Sequence, residues 1–178
     1  MAQHVLDKLQ ARFGNVILAT HNNLGNETAL IEATRLREIA LFLRDDKEMV
    51  FNMPIDCTAV DWFNKREVRF EVVYHIYSTT HKQRLRLKID VSENDCSCPS
   101  LTLVWPGMNW HEREVWDMYG IRFIGHPNLK RVLLYEEFQG HPLRKDYPLT
   151  KRQPLMEMRN VPEVPTQIAP PPSVLNQP

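Results

Sequence analysis

Arg84-Leu85-Arg86-Leu87-Lys88-Ile89-Asp90-Val91 alternates charged and apolar residues through eight consecutive positions. Successive side chains of a β-strand point to opposite faces. The run therefore sorts Leu85, Leu87, Ile89 and Val91 onto one face and Arg84, Arg86, Lys88 and Asp90 onto the other. Such a pattern belongs to an antiparallel sheet with one dry and one wet side.

Immediately upstream, residues 69–77 form a second run rich in β-branched and aromatic types, and the polar stretch 78–83 reads as the hairpin loop between the two. Residues 51–63 predict a third strand, interrupted by Pro54 and regular over 58–63. Before it, 22–26 is a polar loop leading into 27–44, where Ala29, Ala33, Leu36, Ala40 and Leu43 repeat at four-three spacing and predict the longest helix of the chain. A weaker helix is expected over 5–12 and a short strand over 16–19. The sum is an α+β fold: a mostly antiparallel sheet with helices packed on one side, followed by an extended C-terminal segment.

The chain has 178 residues, 43% of them hydrophobic, enough for one domain with its own core. Lys plus Arg and Asp plus Glu number 22 each, giving a formal net charge of zero. That balance argues against nucleic-acid binding, which needs a basic excess, and favours association with other proteins. The N-terminus lacks the apolar core of a signal peptide and no run approaches a membrane span, so the chain is expected to be soluble, with membrane association only through partners. Three cysteines fit a reducing compartment. Cys96 and Cys98 stand closer together than the usual zinc-ligand spacing and lack a second pair, so they read as buried or half-buried thiols.

Residues 110–149 hold the chemistry-bearing types. Asn109 and Glu112 have capping-box spacing, and Gly120 supplies a left-handed stop, so 110–119 is predicted to be a short helix. On a 3.6-residue period Val115, Met118 and Tyr119 share a side with His111, while Arg113, Glu114 and Asp117 cluster on another. Arg113 and Asp117 are spaced for an i, i+4 pair. Gly125-His126-Pro127 and Gly140-His141-Pro142 both read as fixed bends, with each histidine held as a turn residue before its proline. His111-Glu112 opens like a zinc-protease helix, but Val115 stands where the second ligand belongs. Neither a Gly-rich phosphate loop nor four cysteines are present, so flavin, nicotinamide and iron–sulfur binding lack sequence support.

The run Glu112-Arg113-Glu114-Val115-Trp116-Asp117-Met118-Tyr119-Gly120-Ile121, with the first Gly-His-Pro and then Gly140-His141-Pro142-Leu143-Arg144-Lys145-Asp146-Tyr147-Pro148, closely resembles the signature of the thirty-kilodalton subunit, or C subunit, of proton-pumping NADH:quinone oxidoreductase, respiratory complex I. The resemblance implies a cofactor-free subunit of the peripheral arm, with no catalytic, cofactor-binding or metal residue of its own. It implies docking onto the D-like subunit that forms much of the quinone cavity, in support of electron transfer from NADH to quinone. FMN and the iron–sulfur clusters are then expected in partner subunits. The location implied is the cytoplasmic face of the bacterial inner membrane, or the matrix side in an organelle.

On that reading Trp110, Glu112, Arg113, Glu114 and Asp117, with His141, Arg144, Lys145, Asp146 and Tyr147 of the second bend, form or brace the docking surface. Residues 1–108 are the scaffold, 109–150 the docking segment of the same domain, and 151–178 a Pro-rich extended or disordered tail. Two alternatives stand beside it: the equivalent subunit of an oxidoreductase linked to coenzyme F420, ferredoxin or a hydrogenase, and an independent metal-dependent hydrolase built on the histidines.

Overall fold

The computed structural model describes residues 3–155. It opens with α1 (Gln3–Phe13) and a hairpin of β1 (Ile17–Asn23) and β2 (Asn26–Ile31). A single 3₁₀ turn leads into α2 (Leu36–Asp45), followed by β3 (Met53–Asp61), β4 (Phe70–Ser78) and β5 (Gln83–Val91). The short β6 (Ser97–Pro99), α3 (Met108–Tyr119) and β7 (Arg122–Ile124) complete the regular elements.

Strands β1 to β5 form one sheet in the order β1-β2-β5-β4-β3, and β6 pairs with β7 in a second, two-stranded sheet. Within the large sheet every pairing is antiparallel except β2 with β5. The alternation of β5 is realised as predicted: Leu85, Leu87, Ile89 and Val91 are buried. Opposite them on the same face lie Phe70, Val72, Tyr74 and Ile76 of β4, and all eight join one core cluster. Val5 and Leu9 of α1, with Leu36, Ile39, Ala40 and Leu43 of α2, belong to that cluster too. The helices thus cover the dry side of the sheet.

The helix expected over 27–44 is corrected. Its first part is β2, and α2 begins only at Leu36. Leu24 and Gly25 both adopt positive φ, 56° and 74°, the geometry of a two-residue hairpin turn, and this turn carries the chain back into the sheet instead of into a helix. Ala29 satisfied the helical repeat, yet it faces the core from a strand. The longest helix among the described residues is α3, with 12 residues against 10 for α2. Strand β3 lies within the expected 51–63, but it runs from Met53 to Asp61 through Pro54 instead of becoming regular only at 58, because it is an edge strand whose Pro54 lies where the register shifts, and a missing N–H costs nothing there.

Cys57 and Cys98 are buried and Cys96 is half-buried, all three as free thiols. Tyr74 Oη lies 3.8 Å from Cys98 Sγ, and burial pushes the Cys98 thiol up to about 12. The tail expected over 151–178 lies, beyond Leu155, outside the described residues.

Candidate docking surface

Helix α3 starts at Met108 with Gly107 as N-cap and no side-chain cap bond, so the capping box predicted from Asn109 and Glu112 does not form. Met108 N–H and Asn109 N–H instead donate to the carbonyls of Trp105 and Pro106, tightening the first turn. Glu112 is freed to turn inward. It is fully buried, accepting from Leu101 N–H and Ser100 Oγ at 2.6 Å each and from Thr102 Oγ1 at 3.2 Å. Burial nevertheless dominates these bonds and raises the carboxyl above its ordinary range.

Asp117 also departs from expectation. It is 0% exposed and does not share a solvated face with Arg113 and Glu114. Oδ1 accepts from Arg131 Nη1 at 2.6 Å, and Oδ2 accepts the backbone N–H groups of Val132, Leu133 and Leu134 at 2.9 to 3.1 Å. Burial pushes this carboxyl up, but the three amides and the guanidinium outweigh it and hold the group below the usual range. Arg113, four residues earlier, donates to the carbonyls of Lys130 and Arg131 at 3.0 Å each instead of pairing with Asp117. Its guanidinium lies 4.8 Å from the ring centre of Trp110. Two side chains of one helix thus fasten the backbone of residues 130–134, one by its carbonyls and the other by its amides.

The second bend closes the other end of α3. A helix leaves its last carbonyls unpaired. Here Trp116 O accepts from Gly120 N–H at 2.8 Å, Asp117 O from His141 Nδ1 at 2.9 Å, Met118 O from Leu143 N–H at 3.1 Å and Tyr119 O from Arg144 Nε at 2.5 Å. Every carbonyl of the final turn has a partner, and the Arg144 charge suits the negative end of the helix dipole. Gly120 makes this possible: its φ is 77°, and a Cβ there would sit 2.6 Å from the His141 ring and 2.8 Å from Arg144 Nη2. His126 of the first bend reaches the opposite end of the helix, donating from Nε2 to Asn109 O at 3.2 Å while its Nδ1 accepts from Asn128 N–H. Burial lowers both histidines below their ordinary value, which keeps the rings neutral near pH 7. They serve as bend residues bonded to backbone, as the proline after each suggested, and among the described residues no three His, Cys, Asp or Glu side chains converge for a metal.

The remaining candidates divide clearly. Lys145 donates its backbone N–H to Asp61 Oδ2 and exposes its side chain, while Asp146 accepts from Arg69. Tyr147 stacks on Phe138, with ring centres 6.1 Å apart, and its hydroxyl bonds Gln153. Glu114 is exposed. Trp110 is 62% exposed and Leu133, carried on the fastened loop, 61%. Arg69, Asp61 and Arg131 were missed, since their roles depend on partners far off in sequence that no local spacing reveals.

A family model described as respiratory-chain NADH dehydrogenase, 30 Kd subunit, matches residues 29–153, a span containing the whole of this site. The chain belongs to that family. Its relatives include the C subunit of the NADH-quinone oxidoreductase of Roseiflexus sp. (strain RS-1), 48% identical over 82% of this chain and 83% of the relative. The corresponding C subunit of Geobacter sulfurreducens is 43% identical over 80% of this chain and 86% of its own length. Among solved structures, a trypsin-resistant fragment of Nqo5 matches with a TM-score of 0.61 at 31% identity, covering 72% of this chain and 98% of the fragment. A chain of an archaeal membrane-bound sulfane sulfur reductase shares the fold at a TM-score of 0.67 and 22% identity, over 84% of this chain and 86% of that one. Among the described residues, no helix is long and apolar enough to cross a membrane.

Proposed function

We propose that the chain is a cofactor-free peripheral-arm subunit of a proton-translocating NADH:quinone oxidoreductase, docking through α3 and its fastened loop onto the subunit that forms much of the quinone cavity. Flavin and iron–sulfur clusters then reside in neighbouring subunits, and the chain reaches the cytoplasmic or matrix face of the membrane only through them. Its part in electron transfer from NADH to quinone is to hold that neighbour in place.

The observation that carries this reading is the contrast between bonded backbone and open apolar surface. Five backbone groups of 130–134 and the last carbonyls of α3 are bonded within the chain, and Trp110 and Leu133 stand as large exposed side chains on that bonded support. Preorganised aromatic and aliphatic anchors of this kind concentrate binding energy at interfaces. Trp110→Ala is expected to lower retention of the chain in the purified membrane complex, read on a native gel, by about tenfold, the equivalent of one interface anchor. The thermal midpoint of the free chain should stay within a few degrees of the original. Full retention of Trp110→Ala and of Leu133→Ala would remove this face from the interface.

A further inference from the structure

Arg69 stands just before β4, only 5% exposed, with its guanidinium carbon 4.5 Å from the ring centre of Phe63 and 4.8 Å from that of Phe70. All five of its N–H groups are used. Nε and Nη2 donate to the two oxygens of Asp61 at 3.1 and 3.0 Å, and Nη1 donates to Glu93 at 2.5 Å. The remaining hydrogens go to Asp146, from Nη2 to Oδ1 at 2.7 Å and from Nη1 to Oδ2 at 3.2 Å. Asp61 also accepts the backbone N–H of Lys145 at 2.9 Å. One buried ion pair of the sheet therefore holds two consecutive residues of the second bend, one by backbone and one by side chain. A planar fork of five donors can join three carboxylates in this way, whereas an ammonium cannot.

Asp146 is 44% exposed, so a direct role against a partner is the obvious assignment. Its geometry argues otherwise, because both carboxylate oxygens are directed inward onto Arg69. We propose that Arg69 and Asp146 are positioning residues of the docking surface: Arg69 seats Asp146, and Asp146 serves assembly by holding the bend at 145–147 on the sheet, not by touching the neighbouring subunit. This rests on the docking reading above. Loss of Asp146 leaves Arg69 neutralised by Asp61 and Glu93, so the core survives, while the bend at 145–147 keeps of these two holds only the Lys145 N–H bond to Asp61 and loosens.

The test uses the full-length chain, free and in the complex. Asp146→Ala and Arg69→Lys are each expected to speed amide exchange across 140–151 at least tenfold in the free chain, with protection of β4 and β5 unchanged. Each is also expected to cut retention in the complex by about tenfold. Both substitutions break the Arg69–Asp146 linkage, so the double variant should lose no more than the more affected single variant. Losses that multiply to about a hundredfold in the double variant would make Asp146 a partner contact and overturn the proposal. Unchanged exchange in Asp146→Ala, or a released bend with full retention, overturns it as well. Should Arg69→Lys not fold, Asp146→Glu replaces it: the charge returns on a longer arm that cannot take the same seat, reduced retention is expected, and full retention counts against the proposal. If Trp110→Ala and Leu133→Ala retain fully, the docking reading falls by itself, while the exchange data still decide whether Arg69 seats the bend.

Discussion

Glu112 and Asp117 put two carboxylates of one helix out of reach of water, and their surroundings drive them in opposite directions. For Asp117, folding lowers the pKa, so its stabilisation is present above the unfolded value of about 3.9 and disappears as pH falls through the folded value. For Glu112, folding raises the pKa: its contribution is complete below the unfolded value of about 4.3 and is lost as pH rises through the folded one. Urea denaturation of the wild type against Asp117→Asn and Glu112→Gln from about pH 3 to pH 7 reads both slopes. The wild-type advantage over Asp117→Asn should be about 3 kcal/mol at neutral pH, since Arg131 is left without its counter-charge, and should shrink toward acid. Relative to Glu112→Gln the wild type should gain toward acid. Parallel slopes for the two variants would contradict these assignments. Little of this was legible in sequence. Spacing placed Glu112 at a capping-box position and Asp117 beside Arg113, because helical periodicity identifies neighbours on one helix but not what the rest of the chain lays over it.

Among elements, α3 depends on the segment that follows it. The glycine stop and the two Gly-His-Pro bends were legible, because left-handed backbone and restricted pre-proline geometry are local properties of residue type. That the second bend returns to cap the very helix that Gly120 ends was not, since closing that loop depends on tertiary packing. Gly120→Ala tests the coupling. It forces a Cβ into the left-handed region and against His141 and Arg144, so the backbone strain adds to the loss of two cap bonds, about 3 kcal/mol in all. His141→Ala removes one cap bond alone and should cost about 1 kcal/mol. Equal losses in urea titrations of the two variants would mean that the close approach at Gly120 carries no strain. The β-hairpins were read correctly where their alternation was strict, as in β5. The misread stretch at 27–44 failed because alanine and leucine fit a helix and a buried strand alike, and the parallel pairing of β2 with β5 leaves no mark on local sequence.

At the scale of the whole molecule, charge and surface act together. The chain has a formal net charge of zero and a pI near 7.1, so it meets other copies of itself near neutral pH without electrostatic repulsion. Its exposed Trp110 and Leu133 then make the free chain prone to associate. This balance was readable from composition, but the side chains it acts through were not, because exposure is a property of the packed molecule. Replacing both by serine should therefore have opposite effects in two settings. Purified alone, the Trp110→Ser/Leu133→Ser chain should reach a several-fold higher monomer concentration before it associates. Its thermal midpoint should drop by no more than about 4 °C, since surface substitutions seldom cost more than about 0.5 kcal/mol and Trp110 adds only an exposed ring contact with Arg113. In the membrane complex, the same variant should be retained less than the wild type. Light scattering of the free chain and its share of the assembled complex measure the two effects. A variant that is more monomeric yet equally retained would show that these side chains drive self-association without serving the interface. A large fall in the thermal midpoint would show instead that they belong to the packing of the loop on α3.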